Sequence, residues 1–390
     1  MHRIDKEIFR IVEARLTVLK PQSAVTPFQD ATMGPFHTFG IAMLTLIDEN
    51  GISGEAPVYK TYNNILETCL LPILLHHNNL PYDELYKSLY WSIRNEGYRG
   101  QASAMLGQID LALHDLAAKR NNMPLHRYLG AERCHVKFYG SGGGTNYSME
   151  ELESEIDFLM NAGVDCYKMK VGKDFGTRMD EDVQRVKFVR SVLGKGVKLA
   201  VDANQVWTCE QSLQFLDKVS DTDLAWFEEP IHSASYDQIE KLCKMTPVKI
   251  AYGESERSGK SFPILVNIGV RHLQPVPTQI SGVKEWKEVQ ELAARNSIMF
   301  TSGGYSLFTA SLVAAASEDC LVEYLYSLMY GLEQYFAVKP CIKNGQFVLP
   351  CEPGIAVRID WEYCHSKEKI LSTHTWRKNN VREYRPVVSM

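Results

Sequence analysis

The feature that most limits the fold is a repeat. Between residues 136 and 325, short apolar runs alternate with segments of helical periodicity. The strand candidates are Val136–Gly140, Asp165–Val171, Val197–Asp202, Leu224–Glu229, Lys249–Glu254, His272–Val276, Ile298–Ser302 and Cys320–Leu325. The clearest helical segments are Met149–Ala162, Glu181–Leu193, Gln211–Val219, Tyr236–Met245, Val283–Arg295 and Leu307–Ala316. Strand and helix units in series demand parallel pairing through right-handed crossovers. Eight such strands in roughly two hundred residues fit a closed (β/α) barrel of TIM type. An open doubly wound sheet is the alternative, but no Gly-x-Gly-x-x-Gly turn opens any of these helices.

Upstream the order differs. Ile8–Lys20, Phe39–Ile47 and Ile52–Val58 read as strands, the last two joined by the turn signal Asn50-Gly51. Gln22–Thr38 holds Pro27, Gly34 and Pro35 and reads as a loop. From Ile65 to Leu129 the pattern turns helical, most clearly over Ala102–Lys119. Strands followed by helices make an α+β unit. The expected fold is therefore α/β, a modified (β/α)8 barrel with an N-terminal α+β capping domain. Its expected limits are 1–133 for the cap and 134–345 for the barrel, with 346–390 a C-terminal segment that packs back on the cap.

Composition removes several functions. With 45% hydrophobic and 23% charged residues over 390 positions, the chain can build two cores and is not a disordered one. A net charge of -5 without long one-sign blocks leaves no footprint for nucleic acid. The N-terminal residues Met1–Glu7 carry charge where a signal peptide needs an apolar run, and no stretch reaches membrane-spanning length. Nine cysteines without a Cys-x-x-Cys pair fit reduced thiols. A cytoplasmic protein acting on a small molecule is expected.

Within Cys166–Gly172, strand alternation puts Lys168 and Lys170 on one face. On a solvated face this is ordinary; in an interior, repulsion and desolvation should depress at least one lysine pKa and make a base. The following strand ends carry Asp202, Glu228 and Glu254, spaced 26 and 26 residues apart, about one strand-helix unit each. A barrel gathers its strand C-termini on one rim, where catalytic groups sit. Any one of these acids alone reads as a solvated strand end or a helix cap. Three together repel unless a hard cation neutralises them, and oxygen-only ligands point to magnesium or manganese.

The ordered set Lys168-x-Lys170, Asp202-x-Asn204, Glu228-Glu229-Pro230 and Gly253-Glu254 resembles the enolase superfamily, in its mandelate racemase-like branch. Ile109–Asp115, Pro124–Gly130 and Pro353-Gly354 extend the resemblance over nearly the whole chain. It implies that Asp202, Glu228 and Glu254 are metal ligands. It also implies that Lys170 removes a proton α to a carboxylate, and that Lys168 lowers its pKa and contacts the substrate carboxylate. Asn204 and Glu323 resemble substrate contacts, and Glu229 a supporting residue that pairs with Lys168. Tyr305 reads as loop packing or a substrate contact. His37, Tyr59 and Tyr62 fall in cap loops that would cover the rim. Relatives assemble as homo-oligomers, which sets the same expectation here.

The pattern breaks in one place. Where most members of that branch place an aspartate and a histidine on the sixth and seventh strands, this chain has Val276 and Gly303. Chemistry on one face then fits better than a racemase with two opposed bases. The leading expectation is a magnesium-dependent lyase, dehydrating an acid sugar to a 2-keto-3-deoxy acid. The alternatives are a racemase or epimerase, and a metal-binding barrel without turnover. The retained charge cluster, a stability burden without chemistry, tells against the last.

Overall fold

The computed structural model describes residues 3–58, 63–76 and 79–383. In the cap, β1 (Ile11–Leu19), β4 (Ala42–Asp48) and β5 (Ser53–Val58) form an antiparallel sheet, and the late strand Ile370–Arg377 adds to the free edge of β1. Helix Gln101–Arg120 lies on this sheet. Its contact is close because Gly54 lacks a side chain: a Cβ there would stand 2.1 Å from the Ala112 carbonyl oxygen. Asp115 on the same helix accepts the Glu55 amide at 2.7 Å. The helix is buried along nearly all its length, from Ala102 to Ala118, with Asp110, His114 and Asp115 among its buried side chains.

Asp110 ties that helix to the barrel. Its carboxylate accepts the Tyr82 hydroxyl at 2.6 Å and the amide of Val283, the first residue of helix Val283–Arg295, at 2.7 Å. One buried carboxylate thus satisfies a helix N-terminus across the boundary between cap and barrel.

The barrel has eight parallel strands: β6 (His135–Gly142), β7 (Cys166–Lys170), β8 (Lys198–Asp202), β9 (Leu224–Glu228), β10 (Ile250–Tyr252), β11 (His272–Leu273), β12 (Met299–Ser302) and β13 (Leu321–Leu325). Each pairs with the next, and β13 closes on β6 with Val322 opposite Phe138. All eight strand candidates and all six helices read from the sequence are present, with ends shifted by a few residues. Helices Met149–Asn161 and Cys209–Lys218 begin with capping boxes, Ser148 with Glu151 and Thr208 with Gln211. The short hairpin 341–348 pairs antiparallel with the N-terminal end of β6, away from the strand C-termini.

One correction concerns Gln22–Thr38, expected as a loop. It is a hairpin of β2 (Gln22–Phe28) and β3 (Phe36–Phe39). Alternating exposure along Gln22–Pro27 carries the strand signal that the prolines and glycine masked. The hairpin is pinned to the barrel rim: Thr145 donates its amide to the Gln29 carbonyl at 2.7 Å, and Phe175 donates its amide to the Ala31 carbonyl at 3.0 Å. It forms a lid over the strand C-termini. No helix among the described residues is long and apolar enough to cross a membrane.

Candidate active site

Register builds the site. Across β7, β8 and β9, Lys170 stands opposite Asp202, and Asp202 opposite Glu228. In-register residues of parallel strands point to the same face, so the strand ends deliver a lysine and two carboxyls in a row. Glu254 follows β10, and its carboxylate, with those of Asp202 and Glu228, contributes oxygens that all lie within 4.8 Å of one another. Lys168, two residues below Lys170, is fully buried.

The lysines are laced into this cluster. Lys170 Nζ pairs with Asp202 Oδ2. Lys168 Nζ pairs with Glu228, with Glu323 at 2.9 Å and with Asp202 at 3.4 Å. The expectation of a depressed lysine pKa is not met in this arrangement. Burial lowers both lysines, but Glu228 and Glu323 around Lys168, and Asp202 beside Lys170, outweigh it and hold both ammonium groups above the usual range. Burial alone would raise Asp202, yet its two lysines hold it well below the ordinary carboxylate range. Glu228 and Glu254 are pushed by burial up to about 8. Asp202, Glu228, Glu254 and Glu323 are thus four carboxyls against two ammonium groups. An all-oxygen cluster short of positive charge fits a divalent cation.

Glu229 does not pair with Lys168. It follows Glu228 with a positive φ of 37°, which turns its carboxyl to Ser255 Oγ at 2.8 Å and Gln205 Nε2 at 2.7 Å. Glu228 Oε2 instead accepts from Gln274 and from the Trp226 indole at 3.2 Å. Gln274 was missed as a supporting residue. Strand alternation from His272 in β11 would have marked it as inward.

Behind Lys170, Arg185 donates to the Lys170 carbonyl at 3.0 Å and to the Gly143 carbonyl at 2.8 Å. Asp182 accepts the Gly172 amide at 2.9 Å. These buried side chains fix the backbone where Lys170 leaves its strand.

The rim opens into a cleft of about 380 Å3 beneath the lid. Lys170, Asn204, Glu254, Glu323 and Tyr305 line it, as do Phe28, Met33, Phe36 and Phe39 from the lid. The lid aromatics were not singled out in the sequence, because that stretch read as a loop. Asn204 accepts no hydrogen bond at its buried Oδ1. Tyr305 also packs: its hydroxyl donates to the carbonyls of Gly40 at 3.3 Å and Val58 at 3.4 Å. His37 is exposed and lies outside the cleft lining. Tyr59 and Tyr62 fall outside the described residues. At the two positions where the resemblance places an Asp and a His, Val276 lines the cleft, and a Cβ on Gly303 would meet Glu323 Oε2 at 2.8 Å and Val276 Cγ2 at 3.7 Å. The two positions do converge beside Glu323, without an ionisable side chain on either.

A capped (β/α)8 barrel with three acids and two lysines at its strand ends is the architecture of the enolase superfamily. The chain belongs to the mandelate racemase / muconate lactonizing enzyme family: the profile of that family's N-terminal domain matches residues 13–130, and the enolase C-terminal domain-like profile matches 151–363. It is 26% identical over 370 residues to a 3,6-anhydro-alpha-L-galactonate cycloisomerase of Streptomyces coelicolor, covering 93% of this chain and 98% of the relative. It is 28% identical over 316 residues to an arabinonate dehydratase of Saccharolobus solfataricus, covering 78% and 84%. The crystal structure of L-talarate/galactarate dehydratase from Salmonella typhimurium, liganded with Mg and L-lyxarohydroxamate, superposes with a TM-score of 0.83 at 22% identity over 97% of each chain. These relatives are named as enzymes, two as dehydratases and one as a cycloisomerase.

Proposed function

We propose that this protein is a magnesium-dependent enzyme that abstracts the proton α to a carboxylate and eliminates a β-hydroxyl, dehydrating an acid sugar to a 2-keto-3-deoxy acid. The observation that carries this reading is the row Lys170, Asp202, Glu228 at one barrel mouth, with the Glu254 carboxylate beside it. Asp202, Glu228 and Glu254 would hold the cation. Bound there, it would draw charge from the substrate carboxylate and engage Asp202 and Glu228, making the α-proton more acidic and removing the counter-charge that holds Lys170 protonated, so that its pKa falls and the neutral amine becomes available as a base.

The chain's own residues do the rest. Lys170 Nζ takes the proton, and Lys168, held by Glu323, offers positive charge to the carboxylate as it gains electron density. Asn204 Oδ1 orients a substrate hydroxyl. With Val276 and Gly303 opposite, no second base faces the substrate from those positions, so Lys170 returns its proton to the departing hydroxyl on the same face. The dehydratases among the relatives support the elimination; the cycloisomerase keeps an isomerase as its rival.

The test is proton NMR of acid sugars in D2O with magnesium, with Lys170→Ala as control. Loss of the α-proton signal with keto acid formed, both dependent on Lys170, is expected. Chelation should abolish both and magnesium restore them. Exchange yielding a new diastereomer without keto acid would overturn the elimination in favour of an isomerase.

A further inference from the structure

Two cationic side chains, Lys170 and Arg257, line the cleft. Lys170 is paired with Asp202. Arg257 is held differently. It is half-buried and donates through Nη1 to the backbone carbonyls of Glu254 and Glu256, both at 3.0 Å. Its Nε and Nη2, which share the other edge of the guanidinium, have no partner among the described residues. Glu256, next along the chain, feels its charge without forming an ion pair. Nη1 thus fixes the group, and the edge left over is the planar fork that a carboxylate meets with two parallel hydrogen bonds.

The reacting carboxylate does not call for this fork. In the reading above it is served by the cation at Asp202, Glu228 and Glu254 and by Lys168. Arg257 enters from the loop after β10, three strands round the closed sheet from β7, at about 4.8 Å per strand. The two cations therefore reach the cleft from separate parts of the rim. A hydroxyl would answer only one of the two donors on the fork. A phosphate dianion would face a lining that also holds Asp30, Glu229, Glu254 and Glu323, and a single carboxylate meets less repulsion there.

From these observations we infer that the substrate is a diacid, an acid sugar whose second carboxylate binds the Nε and Nη2 edge of Arg257 while the first carboxylate is the one enolised at Lys170. Asp30 Oδ2 and the Gln279 amide, which line the same cleft without hydrogen-bond partners among the described residues, are left for its hydroxyls. The inference rests on the reading of this site as one that enolises a carboxylate, and narrows the acids it takes.

The test pairs aldonic and aldaric acids of the same configuration, in several diastereomeric series, so that only the far carbon changes from hydroxymethyl to carboxylate. The aldonic acid phosphorylated at that carbon is the third member of each set. The first readout is kcat/KM for keto acid formation with magnesium. The second is affinity for Lys170→Ala protein with magnesium, measured by calorimetry, which needs no turnover. Both should favour the aldaric acid over its aldonic partner by about tenfold to a hundredfold. Arg257→Met should bring that ratio toward unity, and Arg257→Lys, which keeps the charge and loses the fork, should leave it in between. The ratio is taken within each variant, because Nη1 also holds the Glu254 backbone. Equal treatment of the pair by the parent protein, preference for the aldonic or the phosphorylated member, or a diacid preference that survives Arg257→Met overturns the proposal. If no member forms keto acid or exchanges its α-proton, the reaction assigned above fails, and the affinity ratio still decides whether the cleft takes a diacid.

Discussion

Residues two apart on the same barrel strands do opposite work. An apolar floor contains Tyr139, Cys166, Ala200, Trp226 and Leu321. Two positions further along their strands, Cys166 gives way to Lys168, Ala200 to Asp202, Trp226 to Glu228 and Leu321 to Glu323. Since every second side chain returns to the same face, floor and rim are stacked layers of one interior. The floor turns its few polar edges upward: the Trp226 indole donates to Glu228, and the Tyr139 ring lies 5.7 Å from Lys168 Nζ. The floor supplies position and low dielectric, and the rim supplies charge that is unbalanced by itself. Stability should therefore live in the lower layer and activity in the upper one.

The largest effect that separates them is on rate. Lys170→Ala should lower α-proton exchange by about a thousandfold or more, the loss expected for a general base. Its thermal midpoint should stay close to that of the parent, because Asp202 keeps Lys168 as a partner. A variant that unfolds instead would show that the rim holds the barrel together, and the division of labour would fail.

The converse change is Trp226→Ala. Trp226 is fully buried, edge-on to the rings of Tyr139 and His272. Its truncation should cost about 3–5 kcal/mol in urea unfolding. Exchange by the fraction that remains folded should fall less than in Lys170→Ala, since only one of the two donors to Glu228 Oε2 is lost. A loss of rate as large as that of Lys170→Ala with little loss of stability would place Trp226 with the rim.

These two layers were legible in the sequence to different degrees. The strand ends could be read because barrel strands alternate hydrophobic runs with helical periods, and a charge at the end of such a run stands out: Asp202, Glu228 and Glu254 were found this way. Partners were harder. Which carboxyl meets Lys168 depends on side-chain direction after the strand ends, and the positive φ of Glu229 sends its carboxyl elsewhere while Glu228 takes the lysine. The lysine pKa direction was misjudged for the same reason. Sequence shows that two lysines share a face, but not how many carboxylates the other strands bring to them. The lid escaped because Pro27, Gly34 and Pro35 read as loop punctuation, while Pro27 sits in β2 and Gly34 and Pro35 in the connection to β3, in a two-stranded hairpin that pairs with no other strand among the described residues. With the lid went the aromatics that shape the cleft.

A smaller effect asks whether the rim's shortage of positive charge is a real cost. Glu155 is a buried carboxyl outside the barrel interior, held by hydrogen bonds from the Tyr167 hydroxyl and the Gly143 amide, both at 2.7 Å. Burial pushes it up to about 7. A carboxyl raised above its unfolded pKa favours the fold below that unfolded value, and the contribution is lost as pH rises through the folded pKa. Between about pH 4.5 and pH 7 the protein should therefore lose up to about 3 kcal/mol through this group. Glu155→Gln cannot titrate, and its amide oxygen can still accept both hydrogen bonds. The stability of the variant relative to the parent should grow as pH is raised from about 5 to about 8, read by urea unfolding at each pH. A difference that stays flat would mean that a buried carboxyl in this protein ionises at little cost. The carboxylates of the rim would then stand without a cation, and their clustering would lose its force as an argument for one.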